Sequence, residues 1–213
     1  MELKNICVIG AGVMGRQIAL NAAVAGYRVS LTDAFVEIFD EANAWAEGFL
    51  DKSVQEGEMD LDDAGTALGR LTCEPDMDAA IGMADLIIEC IAEKEEAKYE
   101  LFERINKVAP AHAVVAGTSS YIPSSRFAKA FDDPSRLLNI HYFDPAMHMK
   151  LVEAVRGEHT SGRTLATVKG FIRSVGKICI VVDKEADGFV ANRLMRAIQD
   201  EAPYLLVSGL HTS

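Results

Sequence analysis

The sequence is poor in cysteine. Its four thiols, Cys7, Cys73, Cys90 and Cys179, are far apart and form neither a C-x-x-C pair nor a cluster with histidines. This spacing argues against a disulfide framework and against a zinc site, so no metal is expected. Three of the four stand inside apolar, strand-like runs, which favours reduced, buried thiols in a cytoplasmic protein.

Basic residues and long apolar runs are also scarce. Lysine and arginine number 21 against 32 acidic residues, a formal net charge of −11. That balance argues against non-specific binding to nucleic acid, which needs clustered positive charge. No apolar stretch approaches the roughly 18 residues of a membrane-spanning helix. Because the first predicted strand begins a few residues after Met1, we expect no signal peptide. With 49% hydrophobic and 25% charged residues, the composition is that of an ordinary soluble domain.

The first clear motif is a glycine turn between a strand and a helix. Residues 5–15 read Asn-Ile-Cys-Val-Ile-Gly-Ala-Gly-Val-Met-Gly, and an amphipathic helix follows from Val13 to Ala25. In such a G-x-G-x-x-G turn, Gly10 permits the tight turn, Gly12 lets a pyrophosphate approach the backbone, and Gly15 lets the helix pack on the strand. The motif predicts a dinucleotide at the helix N-terminus.

An acidic residue at the end of the next strand indicates which dinucleotide. The strand over 27–32 ends at Asp33, about 20 residues past the glycines, where a carboxylate accepts hydrogen bonds from the adenosine ribose. The same carboxylate would repel a 2′-phosphate. We therefore expect NAD rather than NADP.

Strands and helices alternate along most of the chain, which predicts a Rossmann-type, doubly wound and mostly parallel sheet. Further strands are expected at 71–73, 85–92 (apolar nearly throughout), 113–116, 137–141, 150–155 and 177–182. Helices are expected at 34–55, 61–71, 77–83, 95–108, 160–174 and 189–208. We expect Pro203 to bend or locally break the last helix and Gly209 to end it.

A hairpin late in the chain brings two polar residues together. If the turn between the strands over 137–141 and 150–155 is centred near Met147, His141 lies opposite Glu153. Directly paired residues of antiparallel strands point to the same face. The imidazole and the carboxylate are therefore expected to meet.

Seven stretches resemble a known family. They are VIGAGVMG from Val8, ADLIIECIAE from Ala84, KYELF from Lys98, TSS from Thr118, HYFDP from His141, MKLVE from Met149 and GFVANRL from Gly188. In this order and near this spacing, they resemble the NAD-binding part of the 3-hydroxyacyl-CoA dehydrogenase family.

The resemblance implies a catalytic set. His141 corresponds to the general base and Glu153 to the residue that orients it, while Ser119 and Asn192 correspond to side chains that hydrogen-bond the substrate. A base that titrates near neutrality suits the removal of a hydroxyl proton as hydride leaves the same carbon. The residues that the resemblance and the glycine motif place at the cofactor are Gly10, Gly12, Val13, Met14, Gly15, Asp33, Ala92, Glu93, Lys98 and Ser119. Without the motif, Lys98 would be read as a solvated helix charge.

The sequence departs from the family pattern at several positions. Gly117 stands where the family usually has Asn, Asp144 stands for a second Asn beside the base, and Asp187 stands for Pro. In the helix after Asp33, Phe49 and Glu56 fall near positions where CoA-binding relatives carry serine and lysine. That stretch is acidic, and it disfavours a polyanionic ligand such as CoA.

The resemblance divides the chain into an NAD-binding domain, residues 1–185, and the first helix of a C-terminal helical domain, residues 186–213. In the family, further helices close the cleft and form a dimer. The apolar stripe of Leu194, Ile198, Leu205 and Leu206 should not stay solvated. It must fold back, pair with another copy or belong to a longer parent, and we expect a homo-oligomer through this helix.

Three functions remain open. The leading one is an NAD-dependent L-3-hydroxyacyl-CoA dehydrogenase of fatty-acid β-oxidation, with an acyl-CoA substrate. The second is a relative that oxidises a small hydroxy acid without CoA, and the third is a non-catalytic NAD-binding protein. The histidines outside the motif, assigned to surface or loop roles, are His112, His148, His159 and His211.

Overall fold

The computed structural model describes residues 3–208. The strands are β1 (Asn5–Ile9), β2 (Arg28–Thr32), β3 (Leu71–Cys73), β4 (Leu86–Glu89), β5 (Val114–Gly117), β6 (Leu137–Tyr142), β7 (Leu151–Val155) and β8 (Ile178–Val182). The helices are α1 (Val13–Val24), α2 (Ile38–Gln55), α3 (Leu61–Leu68), α4 (Met77–Gly82), α5 (Glu95–Val108), α6 (Gly162–Ser174) and α7 (Ala191–Val207). Three short 3₁₀ turns lie between β5 and β6, at Ser124–Arg126, Ala128–Ala130 and Pro134–Arg136.

The eight strands form one sheet in the order β3-β2-β1-β4-β5-β6-β7-β8. Every neighbouring pair is parallel except β6 and β7, which form the antiparallel hairpin. The predicted doubly wound, mostly parallel sheet is therefore confirmed. The strand order reverses between β1 and β4, and a crevice forms beyond the carboxyl ends of such strands.

Both faces of the sheet are covered, which explains why its central strands are almost entirely apolar. Side chains of β1 alternate between the faces. Ile6 and Val8 join the core beneath α1 and α6, and Cys7 and Ile9 join the core beneath α4 and α5. All four residues of β4 are buried, including the charged Glu89.

Three helices differ from the prediction. α3 ends at Leu68 rather than at position 71, because the chain turns at Gly69 and enters β3 at Leu71. α2 begins at Ile38 rather than at position 34, because the Asp33 side chain accepts a hydrogen bond from Phe35 N at 3.0 Å and holds the chain in turns first. α7 continues through Pro203 without the expected local break. The helix is continuous on both sides of the proline, and none of its residues is buried. The carbonyl that the proline leaves without a donor can therefore bond to solvent. The predicted stop at Gly209 lies outside the described residues.

Candidate active site

The glycine turn has the shape that a pyrophosphate needs. Gly10 has φ +108°, and a Cβ there would lie 2.6 Å from the Cys90 carbonyl oxygen. A Cβ on Gly15 would lie 1.7 Å from the Gly10 oxygen, whereas one on Gly12 would meet nothing within 4 Å. Gly10 and Gly15 are therefore required by packing. The space over Gly12, at the positive end of α1, is open to an anion, so the turn fits a dinucleotide.

A cavity of about 650 Å³ opens beside this turn. Gly10, Gly12, Asp33, Ala92 and Leu101 are among the residues that line it. Asp33 Oδ2 accepts a hydrogen bond from Ala11 N at 2.7 Å, while its Oδ1 is held by Phe35 N. The carboxylate is thus fixed at the cavity wall, where a ribose can reach it.

Lys98 and Glu89 form a buried ion pair, of which only Lys98 is predicted from the sequence. Lys98 is not a solvated helix charge, since only 1% of its side chain is exposed and its Nζ lies 2.6 Å from Glu89 Oε1 and 3.5 Å from Glu93 Oε2. Burial raises the pKa of the Glu89 carboxyl, and Lys98 opposes that shift. The sequence signal for Glu89 was a carboxylate inside an apolar strand. The second Glu89 oxygen has no hydrogen-bond partner, and a Cβ on Gly117 would lie 3.5 Å from it.

Glu93 fixes the loop that carries Ser119. Its Oε1 accepts hydrogen bonds from Ser120 N at 3.1 Å and Tyr121 N at 3.2 Å. From the other side, Asn192 Nδ2 donates to the Ser120 carbonyl at 3.2 Å. Ser119 is buried, and its Oγ has no protein partner among the residues that the structure describes. An unpartnered hydroxyl at this edge of the sheet is available to a ligand.

His141 and Glu153 meet as the hairpin register predicted. They pair directly across β6 and β7, and His141 Nδ1 lies 2.7 Å from Glu153 Oε2 with both side chains almost fully buried. A carboxylate at Nδ1 accepts its proton, so Nε2 of the neutral ring carries the free lone pair. This is the arrangement that a general base requires.

Glu153 also holds the start of the last helix. Its Oε1 accepts hydrogen bonds from Val190 N and Ala191 N, each at 3.1 Å. The preceding Phe189 has φ +50°, an uncommon conformation for a large side chain, and its ring packs 5.6 Å from the imidazole centroid. The base, its carboxylate and the entry to α7 are therefore one connected unit.

A second cavity, of about 280 Å³, joins the base to the cofactor turn. Met14 from the first turn of α1, Thr118 and Ser120 from the loop after β5, and His141, Asp144 and Asn192 line it. The structure thus brings His141 and Asn192 together beside the glycine turn, with Glu153 behind the base and Ser119 between two lining residues. Asp33, Ala92 and the first two glycines lie at the larger cavity, and Val13 is half exposed at the start of α1.

The helix expected to meet CoA is not basic. Lys52 is its remaining base, and its Nζ lies 3.6 Å from Glu56. Phe49 packs on the rings of Trp45 and His148. Of the residues discussed for CoA, Lys52 carries the positive charge, and it is paired with Glu56.

The remaining titratable groups have local roles. His112 lies 3.1 Å from Asp85 Oδ1, His159 lies 3.3 Å from Ser124 Oγ, and His211 is outside the described residues. All four cysteines are free, and burial raises the pKa of Cys7 and of Cys90 to about 12. Within residues 3–208 there is no group of three side chains suited to a metal ion. No helix of the same range is long and apolar enough to cross a membrane.

Comparisons with known proteins identify the family. Residues 5–186 match the family model for the NAD-binding domain of 3-hydroxyacyl-CoA dehydrogenase. The chain is 32% identical over 210 residues to the probable 3-hydroxybutyryl-CoA dehydrogenase of Bacillus subtilis, covering 99% of this chain and 72% of that protein. It is 30% identical over 213 residues to the 5-formyl-3-hydroxy-2-methylpyridine 4-carboxylate 5-dehydrogenase of Mesorhizobium japonicum, covering 98% of this chain and 66% of that one.

A solved structure gives the same result. The crystal structure of the 3-hydroxybutyryl-CoA dehydrogenase of Escherichia coli K12 superposes with a TM-score of 0.95 at 30% identity, covering 99% of this chain and 44% of that one. The predicted NAD cofactor and an NAD-dependent oxidoreductase of the hydroxyacyl-CoA dehydrogenase kind are confirmed by these relatives. The chain belongs to the 3-hydroxyacyl-CoA dehydrogenase family, and residues 5–186 are its NAD-binding domain.

Proposed function

We propose that this chain transfers hydride between NAD and a 3-hydroxyacyl-CoA, interconverting the 3-hydroxy and 3-keto forms, with His141 as general base. The observation that carries the proposal is the buried His141–Glu153 pair, 2.7 Å apart, at a cavity that reaches the first turn of α1. The substrate class comes from the relatives in Bacillus subtilis and Escherichia coli, which are 3-hydroxybutyryl-CoA dehydrogenases by name.

The chemistry follows from the roles of these side chains. In oxidation, His141 Nε2 takes the hydroxyl proton while the hydride leaves the same carbon, and the C–O bond becomes a carbonyl. Glu153 stabilises the imidazolium that forms. Ser119 Oγ and Asn192 hold the substrate oxygen. Bound NAD supplies the hydride acceptor.

Ten residues form the proposed NAD site, some by contact and some by holding its walls. The glycine turn receives the pyrophosphate, Asp33 receives the adenosine ribose, and Glu93 and Lys98 fix the loop beside the reacting end. The set is Gly10, Gly12, Val13, Met14, Gly15, Asp33, Ala92, Glu93, Lys98 and Ser119.

A substrate without CoA is the second candidate. The acidic face of α2, on which Lys52 is paired with Glu56, favours it over a polyanion. The Mesorhizobium relative, named for a pyridine carboxylate dehydrogenase, supports it as well. A third candidate is a non-catalytic NAD-binding protein.

Steady-state turnover separates the three candidates. We expect NADH oxidation with acetoacetyl-CoA, and little NAD reduction with free hydroxy acids, when both are followed by nicotinamide absorbance. Turnover with free acids alone would eliminate the CoA substrate. NADH binding without any turnover would leave the non-catalytic candidate.

We propose self-association through α7. No residue of this helix is buried, and the side chains of Leu194, Ile198 and Leu206 are each 62% exposed. Sedimentation velocity is expected to show dimers that the Leu194→Gln/Ile198→Gln double variant weakens, because the apolar stripe is the contact. The exposed Glu201→Gln is the matched control. A monomer at high concentration would refute the interface.

We also propose a domain boundary near residue 185 and a cytoplasmic location. The family match that ends at residue 186 supports a boundary near residue 185, with 186–213 starting a helical domain. Four free thiols support a cytoplasmic location. A role in fatty-acid β-oxidation rests on the proposed acyl-CoA substrate.

A further inference from the structure

Asp144 is the charged side chain nearest in sequence to the base, and it lines the same cavity as His141. It follows β6 by two residues and is exposed. The cavity runs from Met14, in the first turn of α1, to His141 and Asn192. Asp144 therefore lines the cavity that lies between the glycine turn and His141.

A buried glutamine sets the orientation of this carboxylate. Gln17 of α1 is only 5% exposed, and its Oε1 accepts a hydrogen bond from Met147 N at 3.2 Å. Because a backbone N–H can only donate here, the amide nitrogen of Gln17 is the end left for Asp144. Nε2 donates to Asp144 Oδ1 at 3.3 Å. Gln17 thus requires an oxygen at this position and would accept an asparagine equally well.

Aspartate and asparagine at position 144 differ in the second terminal atom of the side chain, the one that Gln17 does not contact. An asparagine held by the same Gln17 contact would present an uncharged N–H donor. Asp144 presents a second carboxylate oxygen, which accepts no hydrogen bond from the residues that the structure describes. Compared with an asparagine at this position, Asp144 therefore presents a negatively charged acceptor in place of a neutral donor.

One lysine bonds to the turn that follows this carboxylate: Lys177 Nζ lies 2.6 Å from the Ala146 carbonyl oxygen and 3.0 Å from that of Met147. Among residues 3–208, no lysine or arginine lines the cavity. Lys98 is paired with Glu89 and Glu93, and His141 is paired with Glu153, which also takes the amides of Val190 and Ala191. Among the described side chains that line the cavity, Asp144 therefore carries the one formal charge when His141 is neutral.

We infer that Asp144 biases this site toward the oxidised cofactor. Hydride transfer at a substrate held by His141 requires the nicotinamide ring to enter the cavity that Asp144 lines. That ring carries a positive charge in NAD⁺ and none in NADH. A nearby carboxylate stabilises the first relative to the second by Coulomb attraction, reduced by solvent screening. The inference rests on the proposed position of the reacting ring and needs no substrate.

The test is to measure the dissociation constants of NAD⁺ and NADH, by calorimetry, for the protein and for Asp144→Asn. The variant keeps the Gln17 contact and removes the charge. We expect the ratio Kd(NAD⁺)/Kd(NADH) to rise by about three- to tenfold, mostly through weaker NAD⁺ binding, as expected for one screened charge. A second variant, Asp144→Ser, should shift the ratio in the same direction.

Asp62→Asn, which makes the same charge change on α3 away from the cavity, should leave the ratio unchanged. An unchanged ratio in Asp144→Asn, or equal weakening of both cofactors, would overturn the inference. Failure of the proposed reaction would look different, because both cofactors would bind with the expected ratios while no substrate turned over.

Discussion

The His141→Gln variant is expected to lose about 10²- to 10⁴-fold in kcat, the usual contribution of a general base, while its Kd for NADH stays within about twofold. Glutamine fills similar space and can still face Glu153, but it cannot accept the hydroxyl proton. The measurement is kcat with acetoacetyl-CoA and NADH, together with NADH binding by fluorescence.

His148→Gln is the matched control for this variant. His148 lies in the same hairpin, is exposed, and contacts the ring of Phe49 rather than a carboxylate. We expect it to retain its activity. An unchanged kcat in His141→Gln would show that another group accepts the proton.

The Lys98→Met variant is expected to lose about 3–5 kcal/mol of unfolding free energy, the cost of leaving a buried charge without its partner. Glu89 is fully buried, and Lys98 Nζ lies 2.6 Å from its Oε1. Urea unfolding followed by circular dichroism measures the loss directly.

Two further variants separate lost pairing from lost packing. The Glu89→Gln/Lys98→Met double variant carries no buried charge at this position and should recover most of the stability. Lys107→Met, an exposed lysine in the last turn of the same helix, should change stability by no more than about 0.5 kcal/mol. A double variant as unstable as Lys98→Met would mean that packing, not charge, explains the loss.

The sequence predicts those parts of the site that follow from local rules. His141 and Glu153 were placed together because strand register has a period of two and the hairpin centre was recognisable. The glycine turn was predicted because each glycine answers a local steric demand. Lys98 was identified only through its motif, since a lysine near the start of an amphipathic helix normally faces solvent.

Local sequence rules do not predict contacts between elements that are distant in the chain. Glu89 was hidden in a run of apolar strand residues, and its burial makes sense only once α5 delivers Lys98 to the end of β4. The contact between Gln17 and Asp144 joins residues 127 positions apart and depends on how α1 packs beside the hairpin. The late start of α2 depends on the Asp33 side chain, which accepts a hydrogen bond from the Phe35 N–H two residues on. The continuity of α7 through Pro203 reflects its exposure.

We propose that hydride passes directly between the nicotinamide and the carbon that bears the substrate oxygen. His141 takes the proton from that oxygen in oxidation and returns it in reduction. A single turnover of acetoacetyl-CoA with excess protein and NADH that carries deuterium at both C4 positions of the nicotinamide tests it most directly. We predict a 3-hydroxybutyryl product that carries one deuterium at C3, seen by mass spectrometry, and loss of that product in His141→Gln. Bound NADH that stays unoxidised, or a product without deuterium, would contradict direct hydride transfer at this site.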